Sequence, residues 1–263
     1  ENFNRFQLVL AQSAAVGLQA RLESHIVGIR HFTSSPWMQY MDAPYFERHM
    51  GQAVAAPGGI VEEIFRVDAS GRVRARSQRA GTESRAFGAW PERDLFDWAR
   101  DPANRGQTRI AEGGFSPSID SGPHKVPSLS RGPSSGRRLL LITPTYEETP
   151  SRFHPKPTNR FAGVTGFTLD ASRLFGLYLS SARQATPDGH IFVLDAESHF
   201  VFHSTLPGLV GRDVYDGISS SIKRDDLVFS RALKESEGAA VGEAPNRATG
   251  EGTVRQVIAW TPV

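Results

Sequence analysis

The chain has 263 residues, of which 39% are hydrophobic and 22% are charged. That balance is ordinary for a folded globular protein and too apolar for a disordered one. The net charge of +2 gives no reason to expect a nucleic-acid partner, and the absence of cysteine excludes disulfides and thiolate metal sites. No stretch of the sequence approaches the roughly 20 apolar residues of a membrane-spanning helix. Because the sequence opens at Glu1 and not at Met, we expect a piece of a longer chain whose anchoring segments lie outside it.

A long helix is predicted at the N-terminus. Apolar residues recur there at every third or fourth position and no proline occurs before Pro36. One helix of about 33 residues would be about 50 Å long at 1.5 Å per residue; two helices broken near Gly17 are the alternative. The apolar stripe serves either packing against the rest of the chain or a homodimer interface. It consists of Phe3, Phe6, Leu10, Ala14, Leu18, Leu22, Ile26 and Ile29.

Residues 60–77 then have the pattern of two strands joined by a tight turn. The turn is predicted at Asp68-Ala69-Ser70-Gly71, a sequence typical of hairpins. Arg72, Arg74 and Arg76 alternate along the second strand, which predicts that they share one solvated face. The following patterns predict a helix over 91–103, a loop over 113–136, a strand over 139–145, a loop over 149–159, a strand over 161–169 and a helix over 173–183.

A short repeat indicates a duplicated unit. Residues 191–196 repeat residues 64–69 with four of six positions identical, and both segments precede a turn. Thr143-Pro144 and Thr261-Pro262 each follow an apolar run, in the same order. Two such echoes in one order favour two related α/β modules.

No catalytic or metal-binding motif accompanies these elements. The sequence lacks Gly-x-Ser-x-Gly, the phosphate-binding glycine-rich loop and His-Glu-x-x-His. His199 and His203 fall in a strand pattern, about 13 Å apart and too distant for one metal ion. The carboxylate pairs Glu147-Glu148 and Asp225-Asp226 lie in polar segments. We therefore predict no catalytic residue, no metal and no cofactor, and no enzymatic activity in this part of the chain.

The order of elements resembles the double Cache (dCache, PAS-like) sensor domains of bacterial histidine kinases and related transmembrane receptors. The resemblance is carried by the long helix, by the Gly-Val-Thr-Gly strand at residues 161–170, and by the segment from Gly189 to Asp195 with Phe200-Val201-Phe202-His203 and Leu209-Val210-Gly211 after it. Ser204 stands where the family usually has proline. The resemblance covers nearly the whole chain.

The resemblance implies an α+β fold with a long N-terminal helix and two tandem PAS-like modules, each a curved antiparallel sheet flanked by helices. The implied boundaries are a stalk over 1–44, a membrane-distal module over 45–183 and a membrane-proximal module over 184–263 that lacks its last strand. It also implies a periplasmic or extracellular position in an inner-membrane protein anchored by flanking helices. The distal module would bind a small molecule and control a cytoplasmic output, a histidine kinase. Sensors of chemoreceptors or cyclic-dinucleotide enzymes, and an interaction module without a ligand, are the alternatives.

The resemblance further implies a ligand site. Amino-acid-binding members carry Arg-x-Trp-Tyr before a helix and an Asp late in the Gly-Val-x-Gly strand. Here Arg93 matches the arginine, Leu95 and Phe96 replace the aromatic pair, and Thr168 replaces the Asp, which favours a carboxylate ligand without an ammonium group. In the alternative, Arg93 pairs with a nearby Asp in solvent and the aromatic residues are core. The implied ligand-binding residues are Arg93, Phe96, Trp98, Thr143, Thr145, Tyr146 and Thr168.

Overall fold

The computed structural model describes residues 2–41, 45–55, 59–79, 81–83, 88–112, 138–180, 190–195, 198–215, 238–245 and 253–260. Two compact units make up the chain, one of Ser24–Arg173 and one of Glu1–Glu23 with Leu174–Val263. The predicted loop over 113–136, Asp225-Asp226 and Thr261-Pro262 lie outside the described residues.

The N-terminal helix is continuous. Helix α1 runs over Asn2–Thr33 without a break at Gly17, which confirms the single long helix. Leu18 and Ile29 of the predicted stripe are fully buried. Phe6, however, is exposed, together with Val9, Val16 and Val27, so α1 also carries apolar side chains on an uncovered face. No helix in the described part of the chain is both long enough and apolar enough to cross a bilayer.

The unit Ser24–Arg173 is built on an antiparallel sheet. Its described strands stand in the order β3-β2-β1-β6-β5-β4, and every neighbouring pair is antiparallel. The elements are α2 (Pro36–Gln39), α3 (Tyr45–Ala55), β1 (Val61–Asp68), β2 (Val73–Gln78), β3 (Gly81–Glu83), α4 (Arg93–Arg100), β4 (Arg109–Glu112), β5 (Arg138–Tyr146) and β6 (Phe161–Asp170); α5 (Ala171–Tyr178) begins in this unit and ends in the other. The predicted strands and helices of this region are thus present, with ends shifted by a few residues.

The two faces of this sheet have different partners. On one face, which we call the α4 face, buried apolar side chains of the sheet pack with Trp90 and with Ala99 of α4. The strand residues of this core are Phe65, Val67, Val73, Leu140, Ile142 and Val164. The opposite face, which we call the α1 face, meets the end of α1, where the rings of Phe32 and Phe167 are 5.4 Å apart.

Arg66 crosses from the sheet to the helices on the α1 face and is fully buried. Its guanidinium donates to the carbonyl oxygen of Met38 at 3.1 Å, of Ala162 at 2.9 Å and of Val164 at 3.3 Å, and also to that of Val67. One side chain therefore joins α2 to β1 and β6.

The turn between β1 and β2 is fixed by Asp68. Its carboxylate accepts hydrogen bonds from the backbone N–H of Ser70 at 2.8 Å and of Arg72 at 3.0 Å, and from the Arg74 guanidinium at 2.5 Å. Gly71 closes the turn with φ of +79°, a conformation that glycine adopts without strain. The predicted hairpin is confirmed.

The predicted common face of Arg72, Arg74 and Arg76 is wrong. Ala75 pairs with Arg66 and Val73 pairs with Val67, so Arg74 is an extra residue without an opposite partner. Such a β-bulge shifts the alternation of side chains by one position. Arg72 and Arg74 are exposed, whereas Arg76 is buried on the α4 face beside Phe65.

The second unit contains two separate hairpins among its described strands. One joins β7 (Phe192–Leu194) to β8 (Phe200–His203), and the other joins β9 (Gly238–Pro245) to β10 (Thr253–Trp260). The hairpin expected from the repeat at 191–196 is present. A complete second PAS-like sheet stays a prediction.

Candidate functional site

The seven residues that the sequence nominated lie on both faces of the sheet. Arg93 is the first residue of α4 and is exposed. It forms no ion pair with Asp94 or Asp97 within the part of the chain that the structure describes. Its guanidinium is therefore available to solvent and is not held by a neighbouring carboxylate.

Three aromatic residues of the set belong to the core of the α4 face. The ring of Phe161 is 5.9 Å from that of Phe96 and 5.6 Å from that of Tyr146. Trp98 packs against the same core, and the Arg109 guanidinium lies 5.7 Å from its ring. These side chains fill space between α4 and the sheet.

Thr143 and Thr145 point to the α1 face. The hydroxyl of Thr143 is 2.8 Å from that of Thr108, and the hydroxyl of Thr145 is 2.9 Å from that of Thr165. Because neighbouring residues of a strand alternate between faces, neither threonine can share a site with Tyr146. The structure thus divides the predicted set into two groups.

Three of the buried polar atoms that lack a hydrogen-bond partner lie on the α4 side of the sheet. Among the described residues, the Trp90 indole N–H, the Tyr146 hydroxyl and the Thr168 hydroxyl have none. Burial raises the pKa of Tyr146, whereas the charge of Arg105 lowers it in part. Phe161, which pairs with Tyr146, and Thr168 are about 23 Å apart along β6, so one small molecule cannot contact both ends.

A buried ion pair lies at the Thr168 end of the α4 face. Glu63 is directly opposite Thr168 across β1 and β6. Its carboxylate pairs with the guanidinium of Arg76, and both side chains are less than 10% exposed. With the Gln78 amide turned so that its oxygen faces Arg76, that oxygen accepts from Arg76 Nε at 2.9 Å. Burial raises the pKa of Glu63, and the hydrogen bond and charge of Arg76 counteract that rise.

A cavity of about 280 Å³ opens next to this ion pair. It lies where β1 and β5 begin and β2 and β6 end, which is one end of the antiparallel sheet. We call it the charged cleft, and its lining residues are Gly59, Glu62, Glu63, Gln78, Arg79, Arg138, Asp170 and Arg173. None of these was nominated by the sequence, because they come from segments up to 114 residues apart that share no motif.

The charged cleft is held together by ion pairs and backbone contacts. Arg138 Nε lies 2.7 Å from Glu62 Oε2, and Arg173 Nε lies 3.6 Å from Asp170 Oδ2. Arg79 Nη2 donates to the carbonyl oxygen of Val61 at 2.9 Å. The described residues contain no cluster of three or more His, Cys, Asp or Glu side chains that could hold a metal ion.

No protein-family model and no curated protein sequence matches the chain. Solved structures match it over almost its full length. The extracellular domain of a predicted histidine kinase, vpHK1S-Z8, has a TM-score of 0.57 and 14% identity, covering 99% of this chain and 95% of its own. The ligand-binding domain of the Pseudomonas aeruginosa PAO1 amino-acid chemoreceptor PctC, in complex with GABA, has a TM-score of 0.51 and 13% identity, covering 98% and 100%. The periplasmic sensory domain of the Campylobacter jejuni chemoreceptor Tlp1 has a TM-score of 0.51 and 13% identity, covering 99% and 95%.

These likenesses show the fold. The chain has the α+β architecture of extracellular and periplasmic sensor domains, with an N-terminal helix and an antiparallel sheet, which confirms the fold class in its coarser form. The double Cache assignment and the two tandem PAS-like modules remain predictions.

Proposed function

We propose that this chain is the extracytoplasmic sensory domain of an inner-membrane receptor, anchored by helices outside residues 1–263. The observation that carries the proposal is the likeness to vpHK1S-Z8, PctC and Tlp1. Each match covers 98–99% of the chain, and each matched structure is a sensor domain. In this proposal the chain binds a small molecule, performs no catalysis and controls a cytoplasmic histidine kinase. The likeness to the extracellular domain of a histidine kinase supports the kinase output, and the likenesses to chemoreceptor domains keep a chemoreceptor output as the alternative.

The unit Ser24–Arg173 is proposed to take up the ligand. It contains the buried polar atoms without partners and the charged cleft. A buried donor or acceptor that lacks a partner costs roughly 1–3 kcal/mol, so sites of this kind are frequently completed by a ligand or a water. The module boundaries at 45–183 and 184–263 are part of this proposal.

A thermal-shift screen tests the ligand-binding role. Panels of carboxylates, amino acids and sugars are added to the purified chain, and the melting temperature is recorded. A ligand at a hundred times its Kd stabilises the native state by about 2.7 kcal/mol, which is roughly 5–10 °C for a protein of this size. No stabilising compound from any class, together with hydrolytic activity on a general substrate panel, would contradict the proposal.

We also propose that the receptor forms a homodimer through α1. Phe6, Val9, Val16 and Val27 are 53–66% exposed. These residues fall on the two apolar positions of a heptad repeat, as in a coiled-coil seam. Phe6 and Val27 take one of these positions, and Val9 and Val16 take the other. Of the stripe predicted from sequence, Leu18 and Ile29 are instead fully buried within the fold.

A further inference from the structure

We propose that the charged cleft, and not the surface around Arg93, is the ligand site of this unit, and that its ligand is a small monocarboxylate. The inference rests on the proposed sensory role and specifies where, and for which chemical class, that role is carried out.

The walls of the cleft select for a small and polar molecule. Among the described residues, every lining residue other than Gly59 has a charged or amide side chain. The volume of about 280 Å³ lies near the lower limit for small-molecule sites. A large ligand exceeds this volume, and a hydrophobic ligand would cover the charged groups without giving them partners.

The charges of the cleft favour an anion. Arg138 and Arg173 offset the charges of Glu62 and Asp170, and Arg76 offsets the charge of Glu63. Four arginines and three carboxylates therefore meet here among the described residues, an excess of one positive charge. They are Arg76, Arg79, Arg138, Arg173, Glu62, Glu63 and Asp170.

Arg79 carries this excess. Its guanidinium contacts the carbonyl oxygen of Val61 and, within the described residues, no carboxylate. A guanidinium has five N–H donors in a rigid planar fork, so the single bond to Val61 leaves donors free to face the cavity.

The guanidinium of Arg173 lies close to that of Arg79, beside Gly59. A Cβ built on Gly59 would lie less than 3.0 Å from Nη1 of both Arg79 and Arg173, so these two nitrogens are less than 6.0 Å apart. Like charges at this distance repel each other, and an anion between them relieves the repulsion. Gly59 has φ of +61°, so a side chain at this position is both strained and in the way of the two arginines.

The geometry of the donors favours a carboxylate over other anions. Two planar guanidinium groups on one wall match the two oxygens of a carboxylate, and the excess of one charge matches a monoanion. The Glu62 and Asp170 oxygens can accept hydrogen bonds from hydroxyl groups on the ligand. A cationic ligand meets the excess positive charge, and a neutral sugar leaves that charge without a partner.

Calorimetric titration of the whole chain with sodium acetate, lactate, pyruvate and phosphate tests the inference, with sodium chloride at equal ionic strength as the reference. We expect at least one monocarboxylate to bind. Arg79→Gln should weaken this binding roughly ten- to a hundredfold, the loss of a hydrogen bond to a charged group. Gly59→Ala should also weaken it, because the added Cβ displaces both guanidinium groups.

Arg72→Gln is the matched control, because Arg72 is an exposed arginine of the same sheet that does not line the cleft. It should leave the Kd within twofold, and the melting temperature of each variant without ligand verifies folding. Loss of binding in Arg93→Gln with retention in Arg79→Gln would overturn the inference and leave the sensory role intact. Binding only of phosphate, or only of amino acids or sugars, would overturn the carboxylate assignment in the same way. No binding of any of these anions in calorimetry would overturn the inference, whereas the sensory role is tested separately by the thermal-shift screen.

Discussion

Replacing Arg66 by methionine removes a charge that is fully buried on the α1 face. Burial lowers the pKa of Arg66 to about 9, and the charge of Asp68 counteracts that lowering, so the group stays charged at neutral pH. Arg66→Met keeps a similar volume but has no donor for the carbonyl oxygens of residues 38, 67, 162 and 164. The variant therefore loses the hydrogen bond by which Arg66 joins α2 to the sheet.

The expected loss of stability follows from the four acceptors. A buried acceptor that loses its donor costs about 1–3 kcal/mol, which sums to at least about 4 kcal/mol for four. Methionine does not require the burial of a charge, and this gain offsets part of the loss. We therefore expect the free energy of unfolding to fall by about 3 kcal/mol. Arg66→Lys should destabilise at least as much, because it keeps the buried charge but has only three donors on one nitrogen.

Urea unfolding followed by tryptophan fluorescence measures this loss. Trp37, Trp90 and Trp98 report on the unit Ser24–Arg173, and a Trp260→Phe background removes the signal of the other unit. The midpoint should fall while the slope is unchanged. A loss below about 1 kcal/mol for methionine, or a lysine variant as stable as the parent, would refute the hydrogen-bond argument.

Three further changes test other parts of the structure. Burial would raise the pKa of Asp68, but hydrogen bonds from Ser70 and its neighbours hold the pKa below 3.8; its contribution is therefore present above pH 3.8 and lost as the pH falls further. Asp68→Asn should cost about 1–2 kcal/mol in urea unfolding at pH 7, and the gap to the parent should narrow at pH 3, whereas a constant gap would contradict the pKa argument. Gly166→Ala should cost about 1–3 kcal/mol, because its Cβ would overlap the Phe65 ring, and adding Phe65→Leu should recover part of the thermal stability. Val16→Glu should lower the mass measured by light scattering from dimer to monomer, while Gln19→Glu, off the seam, should not; a monomeric parent would remove the dimer proposal.

Much of the fold could be predicted because periodicity and turn chemistry act locally. The spacing of apolar residues gives α1, and Asp68 with Gly71 gives the β1–β2 turn. The bulge at Arg74 could not be predicted in this way, since an extra residue is defined only by the pairing of Ala75 and Val73 with β1. Side-chain alternation along β2 therefore gave a wrong prediction at the bulge, whose position depends on the pairing with β1.

Less of the candidate site than of the fold could be predicted from the sequence. Strand alternation alone separates Thr143 and Thr145 from Tyr146, so their grouping could have been rejected without a structure. The charged cleft could not have been found, because Gly59 and Arg173 meet only after β1 and β6 have paired. A motif search compares residues that are close in sequence, whereas this cavity combines side chains from separate segments between positions 59 and 173.

The lengths of the strands bear on how copies of this unit can associate. Within the described residues of the unit Ser24–Arg173, the inner strands β5 and β6 have nine and ten residues, whereas the edge strands β3 and β4 have three and four. A short edge offers few free backbone groups to a neighbouring sheet, which protects against edge-to-edge aggregation and strand exchange. For the described part of this six-stranded sheet, association through the side chains of helices is therefore favoured over continuation of the sheet across its edges.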